Sequence, residues 1–179
     1  MVDEVLKVVI GPGTPADAAA LARLHVEVWR ETYRDLAPAE AHTLLDEARR
    51  LPYWTQVLDA DDALTGVLIA RSGAELAGVA SFGPAGHPAL ESAAEIKHLY
   101  VRGTARGAGL GARLLVAALD WLRRLGCRDA ALAVVRENVA ARRFYQAMGG
   151  TEIGGFTDPG PLWRSSNIVV KWDLAGTDG

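Results

Sequence analysis

The chain has 179 residues, 50% of them hydrophobic and 23% charged, enough for one domain with a substantial core. A net charge of −3 argues against a general nucleic-acid binder, because no broad positive field is available to attract a phosphate backbone. No apolar run reaches the roughly 18 residues that would cross a bilayer, Asp3 and Glu4 spoil any signal-peptide pattern in Met1–Ile10, and the lone Cys127 allows no intrachain disulfide, so a cytoplasmic protein without a membrane partner is expected.

The apolar run Val5–Ile10 predicts a first strand, which Gly11-Pro12-Gly13 breaks. Thr14, Pro15 and Asp17 then mark a helix start, with the threonine at the cap and the proline at the first helical position. Leu21, Leu24 and Val28 form the buried stripe of that helix. His25, Trp29 and Tyr33 lie four apart on a neighbouring face, either packed against the sheet or walling an acceptor pocket. Pro38 opens a second helix carrying Leu44, Leu45, Ala48 and Leu51; Pro52 is expected to stop or kink it, with a turn or two more over Trp54, Val57 and Leu58. Thr65–Arg71 and Leu76–Phe82 read as a strand pair around a turn at Ser72–Glu75, with Gly78 at a bulge. A long loop, Gly83–Ala94, leads to a strand over Glu95–Val101.

A glycine-rich turn follows, then a helix from Ala112 to Leu125 whose stripe is Leu114, Ala117, Ala118, Trp121, Leu122 and Leu125. Gly126 stops it, and Ala130–Val135 reads as a buried strand. Asn138 caps a short helix over Val139–Met148, which Gly149 ends. Thr151–Phe156 and Ser166–Leu174 form a closing hairpin around the loop Thr157–Ser165, and Ala175–Gly179 is a frayed tail. The order β-α-α-β-β-β-α-β-α-β-β describes one α/β domain over residues 1–174, with a mixed, mostly antiparallel sheet and helices on both faces.

Chemistry concentrates at the glycine turn. The first amides of a helix have no internal partners and carry the positive end of its dipole, and glycines let an anion approach the backbone. Strand, glycine turn and helix therefore suggest a pyrophosphate site, with a ligand-free turn as the plain alternative. A dinucleotide fingerprint would need a third glycine where Leu114 stands, and the Lys-Ser or Lys-Thr pair of a P-loop is missing. What is present is Arg106-Gly107-Ala108-Gly109-Leu110-Gly111, an R-x-x-G-x-G.

That hexapeptide resembles the coenzyme A signature Q/R-x-x-G-x-G/A of the GNAT superfamily of acyl-CoA N-acyltransferases. A second stretch, Asn138 to Gly149, resembles the family motif N-x-x-A-x-x-F-Y-x-x-x-G-F and departs from it only at Gly150, which replaces the final Phe. The two motifs occur in the family's order, and the resemblance spans nearly the whole chain.

The resemblance implies acetyl transfer from acetyl-CoA to a primary amine of a small molecule or peptide, with no metal. Free backbone groups of Leu99, Tyr100 and Val101 would hold the pantetheine arm, and the amides of Arg106, Gly107, Ala108, Gly109, Leu110, Gly111 and Ala112 the pyrophosphate. Asn138 would touch the arm, Tyr145 would protonate the leaving sulfur, and Glu95 would be the base, with Glu91 and His98 as weaker candidates. Core packing for Tyr145 and an ordinary strand-edge acid for Glu95 are the alternatives. Trp29 and Tyr33 would border the acceptor, together with the loops Gly83–Ala94 and Thr157–Ser165, and Glu27, Glu31, Glu91 and Asp158 would suit a cationic one. Dimerisation is common among such proteins. A non-catalytic acyl-CoA sensor is the competing reading.

Overall fold

The computed structural model describes residues 7–176. Seven strands form one sheet: β1 (Val9–Pro12), β2 (Gly66–Ser72), β3 (Glu75–Pro84), β4 (Ala94–Val101), β5 (Asp129–Val135), β6 (Thr151–Asp158) and β7 (Ser165–Asp173), in the order β1-β2-β3-β4-β5-β7-β6. Every neighbouring pair is antiparallel except β4 and β5. The helices α1 (Ala18–Thr32), α2 (Ala39–Leu44) and α3 (Glu47–Leu58) precede β2; α4 (Leu110–Arg124) joins β4 to β5, and α5 (Val139–Ala147) precedes β6.

The sheet separates two main cores. On one face α4 buries Leu110, Leu114, Leu115, Ala118, Leu119 and Leu122 against Phe82, Ile96, Leu132 and Val170. On the other, α1 contributes Leu21, Leu24 and Val28, and α3 the fully buried Trp54, against Val67, Ile69 and Val79. The α4 stripe is rotated from the expected one: Leu115 and Leu119 are buried, whereas Trp121 and Leu125 are 38% and 43% exposed.

The first strand includes the glycine and proline that were expected to break it. Val9 to Pro12 pairs with Arg71 to Leu68 at the sheet edge, where a proline's missing N–H costs no ladder bond. Val5 and Leu6 of that expectation lie outside the described residues. The expected second helix is two helices. Leu45, fully buried, takes an extended conformation after α2, and Asp46 then caps α3 by accepting a hydrogen bond from the Arg49 amide at 2.7 Å. Pro52 neither stops nor begins a helix but lies inside α3. The carbonyl it leaves without a partner, that of Ala48, is on an exposed residue, while the next turn buries Trp54 completely.

Gly78 does sit beside an irregularity: the β2–β3 register shifts between Ala70 opposite Gly78 and Arg71 opposite Leu76, leaving Ala77 as the extra residue. A Cβ on Gly78 would stand 2.8 Å from the Tyr100 carbonyl oxygen. A second shift, in β3–β4, places Ser81 opposite His98 and Phe82 opposite Ile96, so Lys97 is the extra residue. It resets the alternation along β4. Ile96, Leu99 and Val101 face the α4 core, while Tyr100 packs with the α1 and α3 core.

Candidate active site

The site originates in a failure of strand pairing. Only Ala94 and Glu95 of β4 pair with β5, opposite Ala130 and Ala131. From Ile96 onward the parallel strands part, and the backbone groups on that edge of β4 lose their ladder partners. A cavity of about 700 Å³ opens in the gap. Its walls come from β4 (Ile96 to Val101), the glycine turn, β5, α1 and α5.

The glycine turn forms one end. Gly107 and Gly109 have φ of +81° and +74°, the left-handed region that disfavours other residues, and Gly109 caps α4. The first backbone bond into α4 runs from the Arg113 amide to the Gly109 carbonyl at 3.1 Å, so the amides just before it keep their donors for something outside the helix. A Cβ added at Gly107 or Gly109 would meet open space, which leaves the approach to these amides clear. Amides at a helix N-terminus beside unpaired strand backbone suit a ligand with a pyrophosphate and an amide-rich arm. Arg106 turns its side chain away from the turn: Nε donates to the Val101 carbonyl at 3.1 Å, and the guanidinium pairs with Glu31 of α1 at 3.2 Å.

The predicted site residues divide. Leu99, Tyr100, Val101, Arg106, Gly107, Gly109, Leu110, Gly111, Ala112, Asn138, Tyr145 and Tyr33 all border the cavity. Ala108 does not and is exposed. Trp29 does not reach the cavity either. It is 6% exposed, with its ring centroid 5.1 Å from Tyr33, 5.0 Å from His42 and 5.6 Å from Trp163. Trp29 packs in the cluster that joins α1, α2 and the β6–β7 loop.

Asn138 caps α5, its Oδ1 accepting from the Ala141 amide at 3.3 Å. This cap fixes the register of α5 and so aims Phe144 and Tyr145 inward. Burial pushes the Tyr145 phenol well above its ordinary value, with Tyr33 adding to the shift. Burial also raises Tyr33, while the side chain of Asn138 acts in the opposite sense. Both phenols are thus protonated donors near neutral pH. The glycine that replaces Phe at the end of the second motif has a steric cause: a Cβ on Gly150 would lie 2.5 Å from Val170 and 2.8 Å from Trp172. The Trp172 indole fills that corner and donates to the Met148 carbonyl at 3.0 Å.

Glu95 stands just behind the cavity wall. One carboxylate oxygen, Oε2, accepts from the Gly86 amide at 2.7 Å and from Lys97 Nζ at 2.9 Å, which ties β4 to the loop before it. Lys97 is itself on the wall. His98 is also on the wall, and its Nδ1 lies 2.8 Å from Ser81 Oγ and 3.3 Å from the Tyr53 hydroxyl. Burial first, then the charges of Arg50 and Lys97, lower its pKa to about 3, so the imidazole is neutral. Sequence reasoning missed Arg50, Tyr53 and Ser81, which no local motif marks. Glu91, the remaining base candidate, is at the surface and pairs with Lys171 at 3.1 Å.

Residues 22–150 match the model of the acetyltransferase (GNAT) family. The chain therefore belongs to the GNAT acetyltransferase family and is an acyltransferase of that type. Solved structures share the fold. The PaiA N-acetyltransferase of Thermoplasma acidophilum, in complex with coenzyme A, superposes with a TM-score of 0.78 at 19% identity, covering 93% of this chain and 99% of that one. YncA of Salmonella typhimurium, with its cofactor acetyl-CoA, gives 0.69 at 22% identity, covering 94% of each chain. The ribosomal-protein-alanine N-acetyltransferase of Brucella melitensis gives 0.71 at 22% identity, covering 92% and 99%. No curated protein matches the sequence significantly.

Proposed function

We propose that the protein moves an acetyl group from acetyl-CoA directly to a primary amine, both bound in the cleft between β4 and β5. The single observation carrying this reading is the joint opening of that cleft onto a left-handed glycine cap and a half-buried, protonated tyrosine. Acetyl-CoA supplies an activated acyl group as a thioester. The amides from Arg106 to Ala112 would hold its pyrophosphate, the unpaired backbone of Leu99, Tyr100 and Val101 its arm, and Asn138 would border the arm.

In the reaction the C–S bond breaks, a C–N bond forms, nitrogen gives one proton to Glu95, and coenzyme A leaves as a thiolate that takes its proton from solvent. Tyr145 donates a hydrogen bond to the sulfur as it gains charge. Because its phenol is a weaker acid than a thiol, it stabilises the developing thiolate. Glu95 collects the proton lost by nitrogen through water with Oε1, the oxygen not engaged by Lys97 and Gly86. Cys127 lies in the turn between α4 and β5, packed against the α4-side core rather than in the cleft, which favours direct transfer over an acyl-cysteine.

The test is thiol release with an amine panel, comparing the wild type with Tyr145→Phe. We expect turnover to fall about a hundredfold with acetyl-CoA affinity retained. Binding without turnover on any amine would favour the sensor reading instead.

A further inference from the structure

His98 lies on the cavity wall, in the stretch of β4 that has parted from β5. One of its ring nitrogens is already engaged: Nδ1 is 2.8 Å from Ser81 Oγ and 3.3 Å from the Tyr53 hydroxyl. Ser81 is 2% exposed, and this is the one hydrogen bond its side chain makes among the described residues. A buried hydroxyl needs an acceptor for its proton, and a neutral imidazole has one acceptor nitrogen. Two hydroxyls converging on Nδ1 therefore make it the bare nitrogen, which assigns the ring proton to Nε2.

Nε2 has no hydrogen-bond partner among the described residues, yet it is not one of the polar atoms sealed from solvent. Four rings pack around the imidazole: His25, Tyr53, Trp54 and Tyr100, with centroids 4.9, 5.1, 5.2 and 5.4 Å away. They fix the ring's orientation and leave its N–H the opening that the cavity provides. A nitrogen that already carries its proton takes none from an amine, so His98 serves this wall as a donor and not as a base. The ring stands on the sheet face that packs against α1 and α3, away from the strand edge whose backbone would hold the cofactor arm. The acids expected to attract a cationic acceptor are engaged elsewhere: Glu27 by Arg102, Glu31 by Arg106, Glu91 by Lys171, and Asp158 by the Gly160 amide.

We propose that the acceptor carries, beside its amine, an oxygen that accepts a hydrogen bond from His98 Nε2, with Ser81 holding the ring in the tautomer that makes this donor. The proposal rests on the acetyl-transfer reading and names a feature of the acceptor. A site with a fixed donor favours a substrate that answers it over the analogue that leaves it unpaired.

Two measurements test it. Long-range nitrogen–proton NMR of the histidine-labelled protein, with His98→Asn to assign the signals, should show Nε2 protonated and Nδ1 bare at neutral pH, and Ser81→Ala should mix the two tautomers. The opposite tautomer in the wild type, or an unchanged one in Ser81→Ala, would overturn the proposal. Thiol release is then compared between phenethylamine and L-phenylalaninol, L-phenylalaninamide and L-phenylalanine, and between isopentylamine and the same derivatives of L-leucine. The added oxygen is in turn a hydroxyl, a carbonyl and a carboxylate. We expect the wild type to prefer at least one oxygen-bearing member about tenfold or more in kcat/KM. His98→Asn still reaches Ser81 but has no group at the Nε2 position, and should remove that preference through the acceptor KM. His98→Gln, whose amide nitrogen reaches the Nε2 position, should keep part of it. Acetyl-CoA affinity, measured by calorimetry, should shift by less than about twofold in both. Equal or better use of the oxygen-free amines by the wild type would overturn the proposal, as would acetyl-CoA binding with no turnover on any amine. Loss of acetyl-CoA binding in His98→Asn would overturn it too, by giving the hydrogen bond to the cofactor arm. Failure of the wild type to bind acetyl-CoA would instead remove the acetyl-transfer reading beneath it.

Discussion

Glu95 of β4 pairs with Ala131 of β5, and beyond that point the two strands part. This one termination links the sheet to the site. The strands stay joined where Ala94, Ala130 and Ala131 pack tightly, and separate where the cleft must admit a ligand. Glu95 is therefore both the last rung of the parallel ladder and the first acid behind the opening.

That position leads to a prediction for Glu95→Gln. An amide oxygen still accepts from Gly86, so the loop should stay in place, but the side chain no longer takes a proton. Steady-state assays should show kcat reduced by about a hundredfold, with acetyl-CoA affinity little changed. Unaltered kcat would assign Glu95 a purely structural role.

Two histidines, the buried His25 and the half-buried His98, predict a stability profile. Burial first, then His98 and Arg50, lowers His25 to about 2, and His98 stands at about 3. In the unfolded chain both take up protons near pH 6.5. The folded state is thus at its full advantage above about pH 6.5, and loses it as pH falls toward the folded values, because only the unfolded chain binds protons in that window. Each histidine contributes a slope of about 1.4 kcal/mol per pH unit there. Urea unfolding in steps from neutral to about pH 5 should show stability falling, and His98→Gln should flatten the decline. A flat wild-type profile would contradict a pair that stays neutral in the fold.

Gly78 tests the close approach of β3 to β4. An alanine there would drive its Cβ against the Tyr100 carbonyl oxygen and Leu114 Cδ1, at 2.8 and 2.9 Å. Because one contact is backbone, the strand must shift, and Gly78→Ala should cost about 1–3 kcal/mol in chemical unfolding. A neutral effect would mean that the bulge beside it absorbs the methyl group.

The parts of the molecule legible in sequence were those written locally. The register of Asn138 to Gly149 and the turn at Arg106–Gly111 need only neighbouring residues to be recognised, and the order of elements along the chain follows from local patterning. The break between α2 and α3 was not read from the sequence, because the apolar spacing across Leu44, Leu45 and Ala48 continues a single helix pattern through the Asp46 cap. The rotated face of α4 was not legible. Leu115 and Trp121 are both apolar, and only packing against Phe82 and Ile96 decides which edge is buried. The corner around His98 was invisible for a different reason. His25, Arg50, Ser81 and His98 come from four separate elements, and nothing in one segment announces the others.

Calorimetric titration of the protein with acetyl-CoA, with NAD titrated in parallel and Gly109→Glu as the comparison, tests the cofactor site itself. Gly109 caps α4 in the left-handed region with open space before it, so a glutamate there puts both strain and negative charge in front of the free amides. The wild type should bind acetyl-CoA saturably, a folded Gly109→Glu variant should lose that binding, and NAD should not bind comparably. Absent acetyl-CoA binding, equal binding of NAD, or an unaffected variant would contradict a coenzyme A site there.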